Sequence, residues 1–235
     1  MQAKRLVTST GFYSQVRSLM IATWTVAWRD LRVELRGREL LPALAQFVIL
    51  ALVVANFAFD LGGQRSLQVG PGVLWLVLIF AGLLTFSRTF VGDKERGSLE
   101  VMLLTGTNPA VILLGKSLAA GLGLLLAALF LLPAMTVLLG MPISVGTAVI
   151  VLLAVIGMAV LGCLFAALAA RTRAPDLLLP ILALPFWIPY VVLGVGLVRA
   201  SLGGLLLLPP LFGLVYLDLL VILVAVVAAP WVLDD

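Results

Sequence analysis

The chain has 235 residues, of which 63% are hydrophobic and 11% are charged, and its formal net charge is +4. Soluble domains have roughly 45–50% apolar and about 25% charged residues, so this composition excludes a soluble enzyme or a soluble binding protein. Histidine is absent and Cys163 is the single cysteine, which excludes histidine-based metal or acid–base sites and any intramolecular disulfide.

The first 40 residues are rich in lysine and arginine and contain no early apolar run, so we expect a cytoplasmic segment rather than a cleaved signal peptide. Apolar residues recur in it at helical spacing, at Met20, Trp24, Trp28, Leu31 and Leu35. Basic residues occupy another face of the same helix, at Arg29, Arg32 and Arg36. The pattern predicts an amphipathic helix in the membrane interface, with a docking surface for a cytoplasmic partner as a compatible alternative.

Six apolar stretches follow, and each is long enough to cross a bilayer core about 30 Å thick, which needs roughly 20 residues per helix. They predict an all-α membrane protein with six transmembrane helices, at residues 41–60, 71–91, 110–139, 143–169, 177–198 and 205–229. The third and fourth stretches exceed a simple span. Each is therefore expected to tilt or to break, near Pro133 in the third and near Gly157 or Gly162 in the fourth.

Positive charges predict the orientation, because short cytoplasmic loops retain lysine and arginine. They concentrate in the N-terminal segment and in or beside the second and fourth connections, whereas Arg65 and Arg199 fall on the other side. The consistent topology has six spans with both termini in the cytoplasm.

The second connection, residues 92–109, is polar and helix-forming. Ser98 can cap a short helix whose first turn contains Glu100, and Gly106 with Pro109 can end it. The residues alone support equally a solvated connector and a coupling element that transmits motion from a cytoplasmic motor.

Residues 110–117 fit a loose Walker A pattern, with Ala110 in place of the first glycine. A phosphate-binding loop needs flexible glycines after a strand, but here Val-Ile-Leu-Leu leads into a membrane span. We therefore reject a nucleotide site in this chain.

The fifth span is rich in proline, at Pro180, Pro185 and Pro189. Each proline removes an intrahelical hydrogen bond, so we expect a kinked or broken helix that is either a packed kink or a hinge or cavity wall. Two acidic residues, Asp60 and Asp218, are placed near the ends of spans one and six, where ionisable groups cost less than at the midplane. No constellation of side chains typical of a membrane-embedded enzyme is visible.

Three stretches, in this order, resemble the CcmB family, the B subunit of the cytochrome c maturation haem exporter. They are Trp28-Arg29-Asp30-Leu31-Arg32-Val33-Glu34-Leu35-Arg36, then Pro71-Gly72-Val73-Leu74-Trp75 opening span two, then Gly97-Ser98-Leu99-Glu100 downstream of Arg88. The resemblance extends over roughly residues 24–229 and says nothing about residues 1–20.

This resemblance implies an ABC-2-type permease in the bacterial cytoplasmic (inner) membrane. Residues 1–40 would be the cytoplasmic segment with the interfacial helix, and residues 41–235 the six-helix permease domain with a coupling loop near 92–109. The implied partners are a separate ATP-binding subunit, other cytochrome c maturation membrane proteins, a second copy of the chain and the lipid bilayer, with no nucleic acid. Haem would be a cargo rather than a permanently bound cofactor, and ATP hydrolysis would belong to the partner.

The resemblance also marks the contact with the ATPase, at Asp93, Glu95, Arg96, Gly97, Ser98, Leu99 and Glu100. Two alternatives stay open: a permease of the same type for a drug, lipid or polysaccharide, and a non-transporting scaffold of a membrane assembly.

Overall fold

The computed structural model describes residues 17–33, 40–61, 63–90, 102, 104, 107–205 and 208–233, and all regular structure among these residues is helical. Residues 17–33 form α1. Six longer helices follow: α2 Leu40–Phe59, α3 Gln64–Phe86, α4 Pro109–Leu139, α5 Val145–Ala170, α6 Pro175–Leu202 and α7 Leu208–Leu233. Each of these six is long and apolar enough to cross a membrane, which confirms the predicted fold class.

Local sequence signals explain where α4 and α5 begin and where α4 ends. The side chain of Asn108 accepts a hydrogen bond from the backbone N–H of Ala110, and Pro109 occupies the first helical position. Gly140 ends α4 in the left-handed conformation, with φ 65°, which glycine adopts at no steric cost. Ser144 caps α5 in the same manner as Asn108 caps α4, by accepting from Thr147 N–H.

Helix α3 differs from the prediction at both ends. It begins at Gln64, so Pro71 lies inside the helix rather than opening it, and it ends at Phe86 rather than near residue 91. Ser66 supports the early start by donating to the Gly63 carbonyl at 2.7 Å. Polar and charged residues in this first turn lowered the hydropathy of the segment. The helix nevertheless continues past them, because its end can extend beyond the apolar part of a bilayer.

The expected breaks in the long helices do not occur. Helix α4 runs unbroken through Pro133, and α5 runs unbroken through Gly157 and Gly162. These two glycines are packing positions: Gly157 faces Tyr190 and Gly162 faces the Phe86 ring.

Helix α6 is likewise one continuous helix through Pro180, Pro185 and Pro189. Pro185 and Pro189 lie on its exposed side, whereas Trp187 and Tyr190 are fully buried on the other. The prolines therefore leave the packed face of α6 intact, and the helix is not broken at any of them.

Helix α5 is the centre of the bundle. Most of its residues are buried, and it packs against α3, α4, α6 and α7. The outer helices α2 and α7 bury only one narrow stripe each, and large apolar side chains such as Phe57 and Leu223 are exposed. Apolar surface of this extent is typical of helices that face lipid tails or other membrane helices.

Helices α3 and α6 run antiparallel and pack by two reciprocal tryptophan–glycine contacts. Trp75 of α3 lies against Gly194 of α6, and Trp187 of α6 lies against Gly82 of α3. Both indole rings are fully buried, and the Phe86 ring packs on Trp187 with 5.9 Å between centroids. Glycine at each site lets a large ring reach the neighbouring backbone, which is a common way for membrane helices to approach closely.

Candidate functional site

A polar cluster joins α1 to the two helices that flank the second connection. It contains Arg29 and Asp30 of α1, Thr89 in the turn after α3, Met102 of the connection and Lys116 of α4. We call these five residues the cytoplasmic cluster, after the side predicted for them.

Lys116 is the centre of the cytoplasmic cluster. Its side chain is 1% exposed, and its Nζ lies 2.9 Å from Asp30 Oδ2 and donates to the Thr89 carbonyl at 3.2 Å. The same ammonium lies 4.9 Å from the centroid of the Phe90 ring, a cation–π distance. Because Lys116 is buried and Asp30 is partly buried, removing Asp30 would leave an uncompensated charge, which costs about 3–5 kcal/mol where both partners are fully buried and less here.

The length of α4 explains how a lysine is accommodated here. Helix α4 has 31 residues, so it is roughly 46 Å long, against about 30 Å of hydrocarbon core. Lys116 is in its second turn, where the helix can extend into the headgroup region. A cation is far less costly there than at the midplane.

Asp30 receives hydrogen bonds from its neighbour as well as from Lys116. Arg29 donates to Asp30 Oδ1 from Nε at 2.9 Å and from Nη2 at 2.8 Å. The third guanidinium nitrogen, Nη1, lies 3.3 Å from the sulfur of Met102. One carboxylate therefore binds two cations, and through Arg29 it also reaches the second connection.

Helix α1 approaches α4 closely at Gly115. A Cβ built on Gly115 would lie 2.7 Å from the Val26 Cβ and 2.9 Å from the Thr23 carbonyl oxygen. Ala27, on the same face of α1, is 2% exposed. The backbone of α1 thus packs directly on α4 beside the ion pair.

The opposite face of α1 remains exposed and is aromatic. Trp24 and Trp28 are stacked with 6.3 Å between centroids, and the Arg32 guanidinium lies 5.0 Å from the Trp28 ring. Exposed tryptophan beside arginine is the composition expected of a helix in the membrane interface.

The other predicted site residues lie elsewhere in the fold or outside the described residues. Arg36 and the loop residues Asp93, Glu95, Arg96, Gly97, Ser98, Leu99 and Glu100 lie outside the described residues. The three prolines lie on α6, which packs against α3, α5 and α7, and whether they act as a hinge stays a prediction.

The residues of the rejected Walker A pattern have structural roles. Gly115 packs against α1, Lys116 pairs with Asp30, and the Ser117 hydroxyl donates to the Leu113 carbonyl of its own helix. Sequence reasoning missed the ion pair, although a lysine inside an apolar run signals that an acidic partner lies nearby.

A second polar contact corrects the placement of Asp218. Asp218 is in the interior of α7, away from both helix ends, and it is buried with its Oδ1 accepting from the Tyr190 hydroxyl at 2.9 Å. Gly157 of α5 lies directly beneath both groups. The contact therefore joins the three helices α5, α6 and α7 deep within the bundle.

A small apolar cavity lies at the other end of the bundle from the cytoplasmic cluster, between α5, α6 and α7. Its volume is about 110 Å³, well below the roughly 300–1,000 Å³ of sites that hold drug-sized ligands. The cavity therefore does not suit a large cargo.

Comparison with known proteins identifies close sequence relatives. The sequence model of a family described as CcmB protein matches residues 21–234. A protein named heme exporter protein B from Rhodobacter capsulatus is 33% identical over 189 residues, which is 78% of this chain and 85% of the relative. Proteins of the same name from Pseudomonas aeruginosa and Bradyrhizobium diazoefficiens are 34% and 32% identical, over 67% and 79% of this chain and 73% and 84% of their own lengths.

Proposed function

This chain belongs to the CcmB protein family, and on that premise we propose that it is the membrane permease subunit of an ABC transporter that exports or delivers haem for cytochrome c biogenesis. A separate ATPase subunit would supply the energy. The observation that carries this proposal is the family match, which extends from α1 through all six long helices. Relatives named heme exporter protein B support haem as the cargo.

The proposed organisation follows the sequence prediction. Residues 1–40 form a cytoplasmic segment, and residues 41–235 form the permease domain, with two copies per complex. Pro180, Pro185 and Pro189 are the proposed hinge positions of α6. Because the chain has no histidine, haem would pass this subunit without a histidine ligand from it.

We place the protein in the bacterial inner membrane with the cytoplasmic cluster on the cytoplasmic side. The two arginines outside the predicted cytoplasmic segments, Arg65 and Arg199, lie at the same end of the bundle. Arg199 donates to the Gln68 carbonyl of α3 at 3.0 Å, and Arg65 of the same helix lies 3.7 Å from Asp60. The positive-inside rule assigns that basic-poor end to the outside.

Cysteine labelling tests this orientation. Arg65→Cys should react with a membrane-impermeant maleimide in intact spheroplasts, whereas Arg171→Cys should react only after permeabilisation, because both sites are exposed but at opposite ends. The native Cys163 is fully buried, so the wild-type protein should not react with the maleimide and serves as the background control. The reverse pattern would contradict the proposed topology.

Affinity purification of the tagged chain from native membranes tests the function. We expect an ATPase subunit and cytochrome c maturation proteins to copurify, with ATPase activity and haem in the complex. Reversing the charges of Asp93, Glu95 and Glu100 should lower ATPase association about tenfold, the effect of ~1.4 kcal/mol of binding free energy.

The matched control is charge reversal at Arg65, at the other end of the bundle, which should leave the association unchanged. Unchanged ATPase association in the triple variant would show that the 93–100 loop is not part of the interface with the ATPase subunit. Copurification of an ATPase without maturation proteins would point to another cargo, and absence of any ATPase would overturn the transporter proposal.

A further inference from the structure

We propose that Asp30 and Lys116 are positioning residues for energy coupling, because their buried ion pair makes α1 move as one body with the start of α4. This role rests on the proposed function, since it assigns α1 a part in the response to the ATPase. The interfacial helix is then a moving part of the transporter rather than only an anchor.

The ion pair connects α1 to both ends of the second connection. Lys116 is on α4, just after the connection, and it also donates to the Thr89 carbonyl, just before the connection. A motion that separates or tilts α3 and α4 at this end must therefore displace Lys116, and with it Asp30.

Helix α1 is held at more than one point. Arg29 contacts Met102 within the connection, and Thr23 and Val26 pack against Gly115, the residue before Lys116 on α4. Contacts at several points along a helix prevent it from pivoting about the ion pair. Helix α1 consequently follows α4 as a rigid element.

A buried ion pair contributes little net stability compared with apolar packing, but it fixes the relative position of its two helices because the charges tolerate little separation. The Asp30 carboxylate is further oriented by two hydrogen bonds from Arg29. These properties suit a contact that transmits position.

The exposed side of α1 is the part of the helix that would contact lipid during this motion. Trp24 and Trp28 face away from the bundle, and exposed tryptophans of membrane proteins are enriched at the bilayer interface. Displacement of α1 would thus tilt Trp24 and Trp28 relative to the lipid. The bilayer would then either oppose the closure of the ATPase or deform with it.

The test uses the complex with its ATPase subunit reconstituted in liposomes. Asp30→Ala alone leaves the buried Lys116 ammonium without the carboxylate that neutralises it. This variant should therefore give a lower yield of folded protein. The double variant Asp30→Ala/Lys116→Met leaves no unpaired lysine and should restore the yield and the ATPase association. Its ATP hydrolysis should nevertheless fall about tenfold, the effect of ~1.4 kcal/mol on the activation free energy.

Asp30→Glu is the conservative control, because it keeps a carboxylate opposite Lys116. It should retain near wild-type hydrolysis. A double variant with full activity would show that the pair is only structural and would overturn the positioning role. An inactive wild-type complex would instead overturn the proposed function itself.

A distance measurement keeps the proposal falsifiable if the double variant does not fold. Spin labels at Met20→Cys and Leu118→Cys report the distance between α1 and α4, and labels at Leu118→Cys and Leu219→Cys report the distance between α4 and α7; all three sites are exposed. When ATP is trapped in the partner, we expect the first distance to stay constant and the second to change. A change in the first distance, or no change in either, would overturn the proposal.

Discussion

Replacing Gly194 by alanine is expected to separate α3 from α6 and to destabilise the protein by about 1–3 kcal/mol, the usual cost of forcing extra volume into a packed core. A methyl group at this position would overlap carbon atoms of the Trp75 indole ring. The ring is fully buried and therefore cannot swing away without displacing its neighbours. The loss should appear as a lower midpoint of thermal aggregation for the purified protein in detergent.

Gly196→Ala is the matched control on the same helix. A Cβ at Gly196 meets nothing within 4 Å, and alanine is favoured over glycine in a helix by about 1 kcal/mol. The control should therefore be as stable as the wild type or slightly more stable. Equal stability of the two variants would show that Trp75 does not pack on Gly194 as described.

Gly157→Ala should be similarly damaging, for a different reason. The added methyl group would overlap both the Tyr190 hydroxyl oxygen and Asp218 Oδ1, which lie against this glycine. The two side chains would have to move, and their hydrogen bond would break where no bulk water can replace it. We expect a loss of about 1–3 kcal/mol from the unsatisfied polar groups alone, measured as the same aggregation midpoint.

Gly213→Ala on α7 is the control here, because a Cβ at Gly213 also meets nothing within 4 Å. Tyr190→Phe provides a second comparison, since it removes the oxygen nearest to the added methyl group. The double variant Gly157→Ala/Tyr190→Phe should be more stable than Gly157→Ala alone. A double variant that is less stable would argue against steric overlap at the hydroxyl as the cause.

The membrane helices could be predicted from sequence because the bilayer imposes one length and one composition on every span. The prediction of 110–139 differs from α4 by a single residue at its start, where Asn108 and Pro109 provide a strong capping signal. The prediction failed for the start of α3, where the helix continues into polar residues that hydropathy assigns to a loop. Composition reports the lipid-facing length of a helix rather than its full length.

The contacts between helices could not be predicted in the same way. Asp30 and Lys116 are separated by 86 residues, and no local pattern relates them. Trp75 and Gly194 are further apart still, and tryptophan in a span is equally compatible with a lipid-facing position. The placement of Asp218 failed for a related reason: an acidic residue deep inside an apolar helix is acceptable only with a partner such as Tyr190, which sequence spacing does not reveal.

The ion pair between α1 and α4 also has a consequence for biogenesis. Asp30 is synthesised 86 residues before Lys116, so at ~5–20 residues per second about 4–17 s pass before its partner leaves the ribosome. During that interval α1 has no α4 to pack against, and its exposed tryptophans can hold it only at the membrane surface. Helix α1 can thus dock through this ion pair only after the start of the third span has been synthesised.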